Sequence, residues 1–69
     1  MRNYFKVYRN GVYSGDTDSA SKANCKKFIR EGKVSIGTHM GEWRLSPTGY
    51  RYHTTVGVTL DFVRFGRDQ

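Results

Sequence analysis

Five basic side chains in and just after one segment are spaced so that they could bind phosphate groups. Residues 18 to 32 read DSASKANCKKFIREG, the one stretch of this chain with a convincing helical pattern. At about 100° per residue, four of its cations share one side of the predicted helix. These four are Lys22, Lys26, Lys27 and Arg30, and Lys33 follows close behind. Like charges four residues apart cost an isolated helix roughly 0.2 to 0.5 kcal/mol per pair, so the row predicts either a phosphate-binding face or an ordinary solvated face.

A second group with binding chemistry lies on the polar and aromatic side of a predicted hairpin near the start of the sequence. Its members are Tyr4, Lys6, Tyr8 and Tyr13. Exposed rings interleaved with a lysine suit stacking on unpaired bases, because each ring offers a π-face and the ammonium meets the backbone. Alternatively, tyrosine is simply a common strand residue whose ring packs on residues 33 to 41 or in an oligomer interface, which leaves a homodimer open.

A third group is the pair Arg44 and Arg51, with His53 near it. The two arginines fall close together on the outward side of a predicted hairpin, where they repel unless an anion such as a phosphate, a carboxylate or Glu42 lies between them. Such a pair could also read guanine from a two-stranded ribbon in the DNA major groove. The alternative is a pair splayed into water.

Catalytic and metal chemistry is not indicated. His39, His53 and the single cysteine, Cys25, have no recognisable metal-ligand spacing, and Cys25 has no partner in the sequence that would activate it as a nucleophile. Residues 37 to 43, GTHMGEW, lack the spacing and the lysine of a phosphate-binding loop. We therefore expect no enzyme activity, no cofactor, no metal and no small-molecule substrate.

Composition sets the class of partner. The 69 residues make a single domain, 1 to 69, with 12 Lys and Arg against 6 Asp and Glu, a formal charge of +6. This balance favours a polyanionic partner: nucleic acid, anionic lipid or an acidic protein surface. No apolar run reaches signal-peptide or membrane-span length. Attachment to the surface of an anionic membrane is a third possibility, but it ranks last because Phe28 and Ile29 are needed for the core, so we expect no membrane partner. A single cysteine fits a reducing compartment, so we expect the cytoplasm, or the host cytoplasm if the protein is viral.

The elements that must position these groups begin with a hairpin. Asn10-Gly11 stands between two β-prone runs and predicts a type I′ turn, with Tyr8 facing Tyr13 and Val7 facing Ser14. The side chains predicted to face the core are Phe5, Val7 and Val12.

A helix follows the hairpin. It has four N-cap candidates and ends at Gly32, which readily adopts the left-handed conformation after a helix. The candidates are Asp16, Thr17, Asp18 and Ser19, and the side chains predicted to face the sheet are Cys25, Phe28 and Ile29.

From Lys33 onward the apolar pattern has a period of two. Val34 and Ile36 suggest a short strand, residues 37 to 41 a loop, and residues 42 to 46 a strand with Trp43 and Leu45 inward. Residues 46 to 49 are predicted to form a turn. Residues 50 to 62 are predicted to form a long strand, which bends at Gly57 and brings Val56 and Val58 to the core. Residues 64 to 69 are predicted to form a frayed tail. The predicted fold is α+β in the order β-β-α-β-β: a mostly antiparallel sheet of four to five strands with one helix across one face.

Two functions fit these patterns. The first is a small non-catalytic nucleic-acid-binding protein with a mainly electrostatic contact surface. The alternative is a small inhibitor or adaptor, a description that phage-encoded regulatory and anti-defence proteins fit, that binds a host protein or a nucleoprotein complex. The candidate contact residues are Lys22, Lys26, Lys27, Arg30, Lys33, Lys6, Tyr8, Tyr13, Arg44 and Arg51.

Overall fold

The fold is a five-stranded antiparallel sheet with one helix. A computed structural model describes residues 2 to 67. Its elements are β1 (Arg2–Arg9), β2 (Val12–Asp16), α1 (Lys22–Arg30), β3 (Gly41–Ser46), β4 (Gly49–Thr54) and β5 (Thr59–Arg67). The α+β class and the antiparallel sheet of four to five strands predicted from the sequence are confirmed, and the fifth strand extends the predicted β-β-α-β-β order at its end.

The strand order places the first and the fifth strand side by side. Across the sheet the order is β2-β1-β5-β4-β3, and every neighbouring pair is antiparallel. β1 pairs with β5 along its whole length, from Arg2 opposite Arg67 to Arg9 opposite Leu60. Two units that are local in sequence, the β1–β2 hairpin and the β3–β4–β5 meander, are therefore joined through the middle of the sheet.

The helix packs on one face of the sheet through the side chains predicted for that role. Cys25, Phe28 and Ile29 are buried, and the Phe28 ring meets the Phe62 ring edge-on with centroids 6.4 Å apart. We call the sheet face beneath the helix the inner face. The other buried hydrophobic residues of the core are Phe5, Val7, Val34, Ile36, Tyr52, Val58, Leu60 and Phe62.

The first hairpin has the predicted turn. Asn10 and Gly11 both have positive φ, 48° and 84°, and Tyr8 lies opposite Tyr13. Val7, however, pairs with Gly15 and not with Ser14, because a bulge shifts the register between Val7 and Tyr8.

The helix begins later than its cap candidates predict. Ser21 is the N-cap, and its hydroxyl accepts a hydrogen bond from the Asn24 amide at 3.2 Å. The preceding residues are held by β1 instead: the Thr17 amide donates to the Phe5 carbonyl at 2.8 Å, and the Ala20 amide donates to the Asn3 carbonyl at 3.1 Å. The predicted end is confirmed, since Gly32 follows the last turn with φ of 72°.

The predicted strand from 50 to 62 is wrong, because the chain reverses after Thr54. The Thr54 hydroxyl accepts a hydrogen bond from the Val58 amide at 3.0 Å, and the Gly57 amide donates to the Thr54 carbonyl at 3.2 Å. These bonds close a turn that makes β4 and β5 a hairpin. Val58 is buried as predicted, but Val56 lies in the turn and is 62% exposed.

Three further predictions fail around the sheet margin. Residues 64 to 67 are not a tail but belong to β5, paired with β1; residues 68 and 69 lie outside the described part. Val34 and Ile36 are buried in a loop, not in a strand. Val12, beside the first turn, and Leu45, on the edge strand, lie on the inner face as predicted, but they are not part of the core: each lies at a corner of that face and they are 68% and 82% exposed.

Candidate functional site

The structure divides the basic helix face that the sequence predicts. Lys27 is ion-paired, with its ammonium nitrogen 3.7 Å from an Asp18 carboxylate oxygen and 3.9 Å from a Glu31 carboxylate oxygen. Lys33 lies 3.6 Å from the other Glu31 oxygen. This flank of α1 is therefore a mixed-charge cluster of two cations and two anions, and its net charge is close to zero.

The other flank of α1 keeps its charge. Within residues 2 to 67, Lys22, Lys26 and Arg30 have no carboxylate oxygen within 4.0 Å. They follow one another at intervals of four residues, so they form one row along the helix, about 6 Å from one to the next along its axis. We call these three residues the free cation row.

The free cation row faces aromatic side chains of the sheet. The Lys22 ammonium nitrogen lies 5.8 Å from the ring centroids of both Trp43 and Tyr50. Lys26 and Arg30 line a groove of about 420 Å³ between α1 and β3, whose other lining residues are Ile29, His39, Trp43 and Tyr52. Cations and an aromatic surface therefore meet in one concave site, which we call the helix–β3 groove.

Trp43 forms the aromatic wall of the groove, and neighbouring side chains of the sheet hold its ring in place. Trp43 is half-buried, and its ring packs in a tilted arrangement on Tyr52 and Phe62, with centroids 4.6 and 5.6 Å away. The Tyr52 hydroxyl donates to the backbone carbonyl of His39, which ties the loop before β3 to the sheet. Because its neighbours fix it, Trp43 presents a pre-formed surface.

The opposite sheet face, which we call the outer face, carries the two arginines predicted to lie together. Arg44 and Arg51 are direct cross-strand partners, as predicted. Each has a carboxylate: the Arg51 Nε lies 2.7 Å from an Asp61 oxygen, and an Arg44 guanidinium nitrogen lies 3.4 Å from a Glu42 oxygen. Their mutual repulsion is thus offset within the protein.

The tyrosine surface also lies on the outer face, as predicted, and the Tyr13 hydroxyl and the Lys6 ammonium group have partners there. The Tyr8 and Tyr13 ring centroids are 5.8 Å apart, and the Tyr13 hydroxyl donates to an Asp16 carboxylate oxygen at 2.6 Å. That hydrogen bond raises the pKa of Tyr13. The Lys6 ammonium nitrogen lies 4.3 Å from the ring centroid of Phe65, an aromatic residue that sequence reasoning placed in the frayed tail.

The ten predicted contact residues therefore occupy three separate places. The free cation row holds Lys22, Lys26 and Arg30; the neutralised flank of the helix holds Lys27 and Lys33; and the outer face holds Lys6, Tyr8, Tyr13, Arg44 and Arg51. Sequence reasoning assigned Trp43 to the core alone. No local pattern shows that β3 lies at the sheet edge beside α1, and this placement is what makes Trp43 border the groove.

Charge distinguishes the outer face from the helix–β3 groove. Among residues 3 to 66, the charged side chains of the outer face are three cations and three anions: Lys6, Arg44, Arg51, Asp16, Glu42 and Asp61. The groove is lined by two cations and no anion, and Lys22 adds a third cation at its rim. Among residues 3 to 66, the excess of positive charge therefore lies on the helix side.

Comparisons with protein-family models, with curated proteins and with solved structures find no match for this chain. In the described part of the chain, the single helix has nine residues, too few to cross a bilayer.

Proposed function

We propose that this protein binds nucleic acid, without a catalytic step, through the free cation row of Lys22, Lys26 and Arg30. One observation carries the proposal: the carboxylates around α1 neutralise Lys27 and Lys33, but among residues 2 to 67 none lies within 4.0 Å of these three cations. An unpaired row of cations attracts a polyanion, because binding releases the counterions condensed on its phosphates.

The geometry of the row suits a phosphate backbone. Three cations spread over about 12 Å of one helix flank can contact successive phosphates without bending the strand. If each neutralises one phosphate, log K falls against log salt with a slope of about −2.7 for duplex DNA and about −2.1 for a single strand. Titration of labelled oligonucleotides at several salt concentrations measures this slope, and the absence of binding at low salt would contradict the proposal.

A matched pair of variants tests the place of the site. Lys26→Gln and Lys27→Gln remove one charge each from adjacent positions of the same helix. We expect Lys26→Gln to weaken binding and to make the salt slope shallower by about 0.7 to 0.9. Lys27→Gln should change affinity little, since Lys27 is already paired with Asp18 and Glu31. Equal losses would mean that only net charge matters.

The second candidate function, a small inhibitor or adaptor of another protein, is favoured by the outer face. Among residues 3 to 66, that face combines equal numbers of cations and anions with aromatic rings at Tyr4, Tyr8, Tyr13 and Phe65. Aromatic residues and arginine are enriched in protein interfaces, and a charge-balanced surface has little attraction for a polyanion. Tyr8→Ala separates the two functions: oligonucleotide binding should persist in this variant. If Tyr8→Ala loses oligonucleotide binding and Lys26→Gln keeps it, the binding site lies on the outer face.

A further inference from the structure

The helix–β3 groove combines cations with the half-buried ring of Trp43, and this combination indicates which form of nucleic acid fits. We infer that the groove binds single-stranded nucleic acid, with one unpaired base stacked on Trp43 and the adjoining phosphates on Lys26 and Arg30. This inference rests on the proposed nucleic-acid binding and names its ligand class. Charge alone does not lead to this inference, because the free cation row by itself would bind the phosphates of a duplex equally well.

The first support is the position of Trp43 relative to the cations. Trp43 borders the same groove as Lys26 and Arg30, and Lys22 lies 5.8 Å from its ring centroid. A base on Trp43 would therefore keep its own backbone beside the row. Proteins that bind single strands combine these two features, a basic groove that follows the backbone and rings on which bases stack.

The second support is the shape of the site. The groove has a volume of about 420 Å³, within the range of about 300 to 1,000 Å³ that is typical of small-ligand pockets. Ile29 of the helix and Tyr52 of the sheet provide apolar surface on its two sides. It has room for a base, whereas a double helix would have to enter a recess between α1 and β3.

The third support is the energetic cost of exposing a base. A base in a duplex is paired and stacked, so it reaches a recessed ring only after it has been flipped out of the helix. An unpaired base reaches it without this cost. We therefore expect a single strand to bind about 10-fold more tightly than a duplex of the same length.

The test uses the fact that Trp43 is the only tryptophan of the chain. Intrinsic fluorescence is recorded while the full chain is titrated with a 12-nucleotide single strand of mixed sequence, or with the blunt duplex made from it. The single strand should quench the emission, protect Trp43 from acrylamide and bind about 10-fold more tightly than the duplex. Lys26→Gln should shift the quenching curve to higher concentration, and the matched Lys27→Gln control should not.

The outcomes separate this inference from the proposed function. Equal affinity for both forms, or binding that leaves the emission of Trp43 unchanged, would overturn the inference and leave nucleic-acid binding standing. Binding of neither form at low salt would overturn both. Trp43→Phe, which keeps a ring, should bind more tightly than Trp43→Leu, which does not. If Trp43→Leu does not fold, the wild-type fluorescence decides the result without it.

Discussion

The ammonium nitrogen of Lys22 lies 5.8 Å from the centroid of the Trp43 ring, so the first residue of α1 reaches across to the edge strand β3. At this distance the cation is attracted to the electron-rich face of the ring. Ser21 caps the helix immediately before Lys22, and the local packing that holds Ser21 therefore shapes one end of the helix–β3 groove.

Removal of the N-cap should weaken the helix. The Ser21 hydroxyl accepts hydrogen bonds from the Asn24 amide at 3.2 Å and from its side-chain nitrogen at 3.0 Å. We expect Ser21→Ala to lower the free energy of unfolding by about 1 kcal/mol, measured by urea denaturation. Ser35→Ala, at an exposed loop position, is the control and should change it by less than about 0.5 kcal/mol. Equal effects of the two changes would contradict the assigned cap.

The Thr17 hydroxyl helps to hold the segment before the helix on β1, so its loss should lower the stability of the protein. It is buried, accepts from the Phe5 amide at 2.9 Å and donates to the Ser19 carbonyl at 2.9 Å. Thr17→Val keeps the shape but leaves both groups unsatisfied, so unfolding should become easier by about 1 to 3 kcal/mol. Thr48→Val, at an exposed turn position, should be close to neutral when both are compared by thermal and urea unfolding.

Gly49 should not tolerate a side chain. A Cβ atom there would lie 2.1 Å from the Phe62 carbonyl oxygen and 2.9 Å from the Phe5 ring. We expect Gly49→Ala to cost about 3 kcal/mol or more, a large part of the roughly 3 to 10 kcal/mol that holds a domain of this size together. At Gly57 a Cβ atom meets nothing within 4 Å, so Gly57→Ala should cost only the strain of its φ of 87°, about 1 to 2 kcal/mol.

A Gly49→Ala variant as stable as Gly57→Ala would contradict the close approach of β4 to β5. Circular dichroism at a range of urea concentrations compares the two variants directly, because both replace glycine with alanine in the β3–β4–β5 meander.

Cys25 should make stability fall in alkaline solution. Its burial raises the pKa of the thiol to about 12, against about 8.5 in an unfolded chain. Between these values the unfolded state releases a proton that the folded state keeps, so the unfolded state is favoured as pH rises. The contribution of the thiol is complete below about pH 8.5 and declines above it by about 1.4 kcal/mol per pH unit.

The measurement is the free energy of unfolding from pH 7 to pH 10 for the wild type and for Cys25→Ala. Lysines and tyrosines titrate in both proteins, so the difference between the two curves isolates the thiol. The wild type should lose stability more steeply above about pH 8.5. Parallel curves would show that the folded thiol ionises as readily as the unfolded one.

Local rules account for the parts of the fold that the sequence predicts correctly. Asn10-Gly11 marks the first turn because both residues accept positive φ, and alternation in β1 assigns Phe5 and Val7 to the inner face. The same rule fails from 50 to 62. There the apolar alternation continues through the turn, and the Thr54 side chain that closes this turn looks like an ordinary strand residue in the sequence.

The division of the helix cations was less accessible to sequence reasoning. Lys26 and Lys27 lie only about 100° apart around the helix axis, so a helical projection assigns both to one basic face. The two lysines differ in their ion pairs, and one partner lies outside the helix: Asp18, in the segment before α1, pairs with Lys27. Trp43 becomes a site residue only through the tertiary placement of β3 beside α1, which no local pattern encodes.

The central pairing of β1 with β5 also determines when this chain can fold as it leaves the ribosome. Val7 pairs early with Gly15 of β2, but it has no partner on its β5 side until Phe62 has been synthesised, and the closure of so long a loop delays this pairing further. Until then Phe28 has no Phe62 to pack against. A nascent chain that stops before β5 therefore leaves its apolar side chains open to chaperones and proteases, and the helix–β3 groove forms only after β5 has been added.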